Sequence, residues 1–134
     1  MPTILHVEDD SEHRLMLKTA LRNTDFTLVE AVDGLDGLDK IRHYPVDLIL
    51  LDLFMPRMDG FRVLEVLKAD AKTKHIPIII LSAWPTGDNR KRAKQAGAAS
   101  FVAKPYHPKK LIELINKILE MSTIRAQTQT QSQS

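Results

Sequence analysis

The stretch Val46–Gly60, VDLILLDLFMPRMDG, decides the fold. Its first part, the mostly apolar run Val46–Leu51, carries Val, Ile and Leu without clean polar alternation. That pattern predicts a strand covered on both faces, as in a parallel sheet. The run ends at Asp52, and Pro56 and Gly60 mark a loop. Asp59 is a good N-cap for the helix that follows, whose apolar face is Val63, Leu64, Leu67 and Ala71. The reading is therefore strand, loop with an acidic residue at its start, then amphipathic helix.

The same unit recurs on both sides. Short apolar runs occupy Ile4–Val7, Phe26–Ala31, Pro77–Leu81 and Ser100–Ala103. Between them, Met16, Leu17, Ala20 and Leu21 share one face at helical spacing, as do Leu35, Leu38 and Ile41. A weaker, polar helix is expected over about residues 87–95, with Gly97 as its stop. A fifth begins at Pro108 and buries Leu111, Ile115 and Ile118. Five βα units predict an open α/β sheet with helices on both faces and right-handed crossovers. A closed eight-unit barrel needs roughly 200 residues or more, and this chain has 134.

Composition narrows the function. With 43% hydrophobic residues the chain can bury one core. No run reaches the roughly 18 apolar residues of a membrane span, and the N-terminus enters Thr3–Val7 without a signal pattern, so a cytoplasmic protein with no membrane insertion is expected. The absence of cysteine excludes disulfides, thiolate metal sites and cysteine nucleophiles. A net charge of +2 from 19 basic and 17 acidic residues is too balanced to argue direct nucleic-acid binding. Residues 1–121 read as the folded domain. The polar segment 122–134, ending QTQTQSQS, reads as a disordered tail or linker.

Ligand sites of open α/β sheets lie beyond the carboxyl ends of the strands. The first run ends in Glu8-Asp9-Asp10, the third in Asp52, the fourth in Ser82 and the fifth in Lys104-Pro105. Singly these are ordinary residues, since an aspartate after a strand is most often a helix cap. Together they bring several carboxylates to one edge. Two carboxylates 4 Å apart repel by roughly 4 kcal/mol at an effective dielectric of 20, so a cation or protons must relieve them. A hard divalent cation, Mg²⁺ or Mn²⁺, suits an all-oxygen donor set. Asp52 then remains able to act as a nucleophile toward phosphorus, with Lys104, Ser82 and backbone N–H groups to spread the incoming charge.

These residues resemble the receiver domain of two-component response regulators over roughly residues 2–121. The motifs are Ile4–Asp10, Leu51–Gly60 (D-x-x-M-P-x-M-D-G from Asp52), Pro77–Ala83 with Ser82-Ala83, and Gly97–Pro105 with Lys104-Pro105. The resemblance implies a flavodoxin-like (βα)5 doubly wound sheet of strand order 2-1-3-4-5, an order the general rule for such sheets illustrates with a chemotaxis member of this family. It implies that Asp52 accepts a phosphoryl group from a sensor histidine kinase or a phosphotransfer protein. Glu8 and Asp9 match the acidic metal-binding pair, with Asp9 the more direct ligand, and the backbone carbonyl of Phe54 matches a further one. Ser82 matches the switch hydroxyl, Lys104 the lysine that contacts the phosphoryl group, and Phe101 the aromatic switch residue. The implied partner surface, for an effector or a second copy, is the fourth helix, fifth strand and fifth helix. Such a protein is a switch that catalyses only its own phosphorylation and dephosphorylation.

Some positions keep two readings. Phe54 and Trp84 flank the phosphoryl site, where bulky rings would slow water attack or form a partner patch. Phe101 is also a plain core aromatic. Arg90, Lys91, Arg92 and Lys94 are a solvated face or part of the output surface. The five histidines show no metal-ligand spacing and receive no role. Three rivals were weighed. A phosphohydrolase with an aspartyl-phosphate intermediate needs an acid two residues after its nucleophile, where this chain has Phe54. A dinucleotide site needs a glycine-rich loop where Glu8-Asp9-Asp10-Ser11 stands. The third is a receiver-fold interaction module acting without phosphorylation, which the intact site residues argue against.

Overall fold

A computed structural model describes the backbone of residues 1–133 and the side-chain surroundings of residues 1–125. The strands are β1 (Thr3–Val7), β2 (Thr27–Ala31), β3 (Leu48–Asp52), β4 (Ile78–Ser82) and β5 (Ser100–Ala103). The helices are α1 (Ser11–Leu21), α2 (Gly34–His43), α3 (Gly60–Ala69), α4 (Gly87–Gln95) and α5 (Pro108–Gln133). The five strands form one parallel sheet in the order β2-β1-β3-β4-β5, as expected. β3 starts at Leu48, because Asp47 spends both its backbone and its carboxylate on Thr3, whose N–H donates to Oδ2 at 2.7 Å.

Each strand feeds two apolar layers. On one face Leu5, Val7, Ile49, Leu51, Ile78 and Ile80 pack with Phe61, Val63, Leu64 and Leu67 of α3 and Ala93 of α4. On the other face Ile4, Leu48, Leu50, Ile79 and Leu81 pack with Leu17 and Leu21 of α1 and Leu111 and Ile115 of α5. All five residues of β3 and of β4 are buried, the physical reason for their lack of polar alternation. The expected stripe on α1 is narrower than its spacing implied. Met16 is 56% exposed, since α1 shares its face of the sheet with α5. Leu35 on α2 likewise stays exposed.

Local chemistry sets the helix ends. Asp10, Asp33, Asp59 and Thr86 each accept backbone N–H groups as N-caps of α1 to α4. Gly97, at φ 102°, closes α4 with the paired bonds of a Schellman turn, Ala98 N–H to Ala93 and Gly97 N–H to Lys94. Helix α5 runs past residue 121, where the sequence reading ended the folded domain. Residues 122–125 are helical, because no glycine or proline follows Pro108 to stop the turn pattern. The rest of the expected disordered tail, 126–134, lies outside the residues whose surroundings are described. Among the described residues no helix is long and apolar enough to cross a membrane.

Gly60 starts α3 directly under the end of β3. A Cβ there would overlap the Asp52 carbonyl oxygen and lie 2.7 Å from Leu53 Cα. Backbone cannot yield as a side-chain tip can. Gly60→Ala should therefore destabilise the fold by about 2 kcal/mol or more, measured as a lower urea midpoint at unchanged slope; an unchanged midpoint would show that β3 and α3 are not so closely packed.

Candidate functional site

Parallel strands deliver their carboxyl ends to one edge, and the register decides which side chains meet there. Val7 lies beside Leu51, so Glu8 follows at the level of Asp52 on the neighbouring strand. Ser82 ends β4 and pairs with Ala103, so Lys104 leaves β5 one step beyond it. The Lys104 N–H donates to the Ser82 carbonyl at 2.8 Å, which holds the start of that side chain. The peptide bond after it, Lys104–Pro105, is cis.

Carboxylate oxygens of Glu8, Asp9 and Asp52 lie within 4.8 Å of one another. Glu8 is buried, Asp52 is 9% exposed and Asp9 is exposed. Lys104 is the neutralising charge. Its Nζ donates to both oxygens of Glu8 at 3.1 Å and stands 3.7 Å from Asp52 Oδ2. Glu8 also pairs with His13, whose Nδ1 is 2.7 Å from Oε1. The donor set fits a hard divalent cation. Asp9 and Asp52 offer the more available oxygens, Asp52 meeting only the Glu8 carboxyl and, at 3.7 Å, Lys104 among the described residues, whereas both oxygens of Glu8 are bonded to Lys104 and one also to His13.

The environment of Asp52 raises its pKa to about 7. Burial is the leading cause, followed by the hydrogen bond and the negative charge of Glu8; Lys104 and the Phe54 N–H oppose them. His6, on the adjacent strand, is pushed down to about 3, first by burial and then by Lys104, Arg14 and His13. It therefore stays neutral, and its Nδ1 has no hydrogen-bond partner among the described residues. Beside it is a cavity of about 50 Å³ lined in part by His13, Met16, Leu81 and Tyr106.

The remaining expected residues fall around this centre. Ser82 is fully buried, and its Oγ accepts the Trp84 N–H at 3.0 Å. Phe54 and Trp84 are 47% and 63% exposed. Phe54 meets Phe61 edge-on, with ring centroids 6.4 Å apart. Phe101 is partly buried, and the Arg90 guanidinium lies 4.8 Å above its ring centroid. Arg92 lies 3.9 Å over Phe61. Two members of the basic cluster, both exposed, thus also lie over aromatic rings. Sequence reasoning missed His13 and Arg14, whose Nη1 donates to the Glu8 carbonyl at 2.7 Å. Neither forms a ligand-like spacing with another residue. Their only signal was position, in the first turn after the acidic cluster.

A family model described as response regulator receiver domain matches residues 4–116. Response regulator GtcR of Aneurinibacillus migulanus is 36% identical over 106 residues, covering 79% of this chain and 43% of that protein. Phosphate regulon transcriptional regulatory protein PhoB of Klebsiella pneumoniae is 34% identical over 116 residues, covering 87% and 51%. The chain thus spans about half the length, or less, of these curated relatives. A solved response regulator receiver domain protein (CheY-like) from Methanospirillum hungatei superposes with a TM-score of 0.86 at 27% identity, covering 93% of this chain and 98% of that one.

The raised pKa of Asp52 has a sign that stability measurements can read. A folded-state value above the unfolded one means that the folded protein holds the proton longer. The penalty on the carboxylate is absent below about pH 4 and grows as pH rises toward 7. With chelator present, Asp52→Asn should melt several degrees above the wild type at pH 8, since each kcal/mol shifts the midpoint by about 4 °C in a domain this size. The gap should narrow at pH 5 and close near pH 4. A gap that is constant with pH would show that Asp52 is not the titrating group.

Proposed function

The chain belongs to the response regulator receiver domain family, and on that premise we propose that Asp52 is the phosphoacceptor of a Mg²⁺-dependent signalling switch. The observation that carries this reading is the meeting of Asp52, Asp9, Glu8 and Lys104 at one sheet edge. In the proposed step an Asp52 carboxylate oxygen forms the O–P bond while the P–N bond of a phosphohistidine breaks. The imidazole leaves with the electron pair and is reprotonated from solvent. The donor would be a sensor histidine kinase or a phosphotransfer protein.

The chain's own residues position and stabilise. Asp9 and Asp52, with Glu8 behind them and the Phe54 carbonyl as a further expected donor, would hold Mg²⁺ or Mn²⁺, which supplies positive charge to the transferring oxygens. Lys104 Nζ, already 3.7 Å from Asp52, would turn onto a phosphoryl oxygen. Ser82 would give up the Trp84 N–H and donate its hydroxyl proton to another. The transfer adds about one negative charge and three acceptor oxygens to a desolvated site, and the response would reach Phe101, on the strand next to Ser82. The output face would be α4, β5 and α5, docking an effector or a second copy of the chain in the cytoplasm. Exposed Phe54 and Trp84 would form an apolar rim that slows water attack on the phosphoryl group.

Two measurements test this. With Mg²⁺ and acetyl phosphate, intact mass should rise by one phosphoryl group, mapped to Asp52 and absent in Asp52→Asn. No adduct with any donor would favour the interaction module that acts without phosphorylation. Trp84→Glu should shorten the lifetime of the adduct several-fold by admitting an ordered water; an equal lifetime would reassign the two rings to partner binding.

A further inference from the structure

We propose that His13 is a positioning residue for phosphoryl transfer, holding Glu8 so that Lys104 is free to turn to Asp52. The inference rests on the phosphoacceptor reading and deepens it. Its basis is the geometry around one buried carboxylate. Glu8 is 1% exposed. Besides the Asp52 carboxyl, its side chain meets two donors among the described residues, Lys104 at 3.1 Å and His13 at 2.7 Å.

The shorter of two contacts favours a proton on Nδ1. His13 Nδ1 lies 2.7 Å from Glu8 Oε1 and 3.2 Å from Lys104 Nζ. A bare Nδ1 would set its lone pair against those of the carboxylate. Nδ1 therefore bears hydrogen and donates to Glu8, beside the donating ammonium of Lys104. With the proton on Nδ1, the imidazole and the ammonium stand 3.2 Å apart and converge on the same acceptor.

That convergence has a consequence for the reaction. In this structure Lys104 is bonded to Glu8 and stands 3.7 Å from Asp52. To reach a phosphoryl group on Asp52 it must loosen its hold on Glu8. A buried carboxylate stripped of its only partner is strongly disfavoured, and that cost would resist the movement. His13 supplies a second donor that does not travel with Lys104. It stands on α1, where its backbone N–H donates to the Asp10 cap at 3.1 Å. Arg14, the next residue, pins the Glu8 backbone carbonyl. The first turn of α1 thus keeps Glu8 in place while the lysine changes partners.

The test uses the full chain, Mg²⁺ and acetyl phosphate, with adduct formation followed by intact mass. His13→Ala should slow phosphorylation at saturating donor by roughly 10-fold and leave the half-saturating donor concentration within about twofold, the pattern of a lost transition-state interaction. His13→Gln, whose amide can donate to Glu8, should recover most of the rate. In ¹⁵N spectra the neutral His13 ring should carry its proton on Nδ1, both free and with beryllofluoride on Asp52. Equal rates for wild type and His13→Ala overturn the inference and leave the phosphoacceptor reading intact, as does a glutamine variant as slow as alanine, or an Nε2–H tautomer. No adduct on the wild type overturns both. Should His13→Ala fail to fold, the glutamine variant and the tautomer decide.

Discussion

One ammonium group among buried carboxylates governs this structure. Lys104 Nζ bonds Glu8 twice and faces Asp52, and it comes from the opposite side of the sheet. Between β5 and β1 lie β4 and β3, so only a long side chain can bridge them. Without that charge, Glu8 and Asp52 would repel in a poorly hydrated place. Even with it, the carboxyl of Asp52 is held near neutrality in pKa, because burial and Glu8 outweigh the lysine. The site is therefore left short of positive charge. That deficit is the physical reason a divalent cation suits it, and the reason the arrangement can respond when charge is added.

The rest of the fold holds this deficit in place. Two apolar layers fix the sheet, and the loops above it are tied to each other. Arg57, in the loop after β3, sits at φ 71° and bonds the buried Asp33 at 3.0 Å, which itself caps α2. A non-glycine residue in that conformation is strained, and the ion pair is what opposes the strain. Gly60 lets α3 begin against the Asp52 carbonyl. The loop carrying Phe54 is thus anchored at both ends, close to the acceptor.

Helix α4 is the least apolar of the five, with one buried residue, Ala93. Its attachment is made by arginine. Arg92 covers Phe61 of α3 and Arg90 covers Phe101 of β5, so beside the buried Ala93 the helix is held by guanidinium–ring contacts and the aliphatic stems behind them. Such contacts are exchangeable with solvent, unlike the leucine packing of α3. A helix held in this way can shift without opening the core, which suits the output face proposed for it.

The five strand–helix units and the residues at the strand ends were legible in the sequence, because burial on both faces and cap chemistry are local properties of the chain; the sheet order came only with the family resemblance. Asp59 as a cap and Gly97 as a stop follow from the same local rules. What the sequence could not determine were the distances and the choice of partner. Nothing in the spacing of Glu8, His13 and Lys104 says that an imidazole and an ammonium share one carboxylate, since 91 residues separate the two donors. Nothing in the basic run 90–94 says that two arginines lie over rings from α3 and β5. Nor did the polar composition after residue 121 reveal that α5 continues. These are decided by strand register and by the desolvation it imposes, which exist only once the sheet has formed.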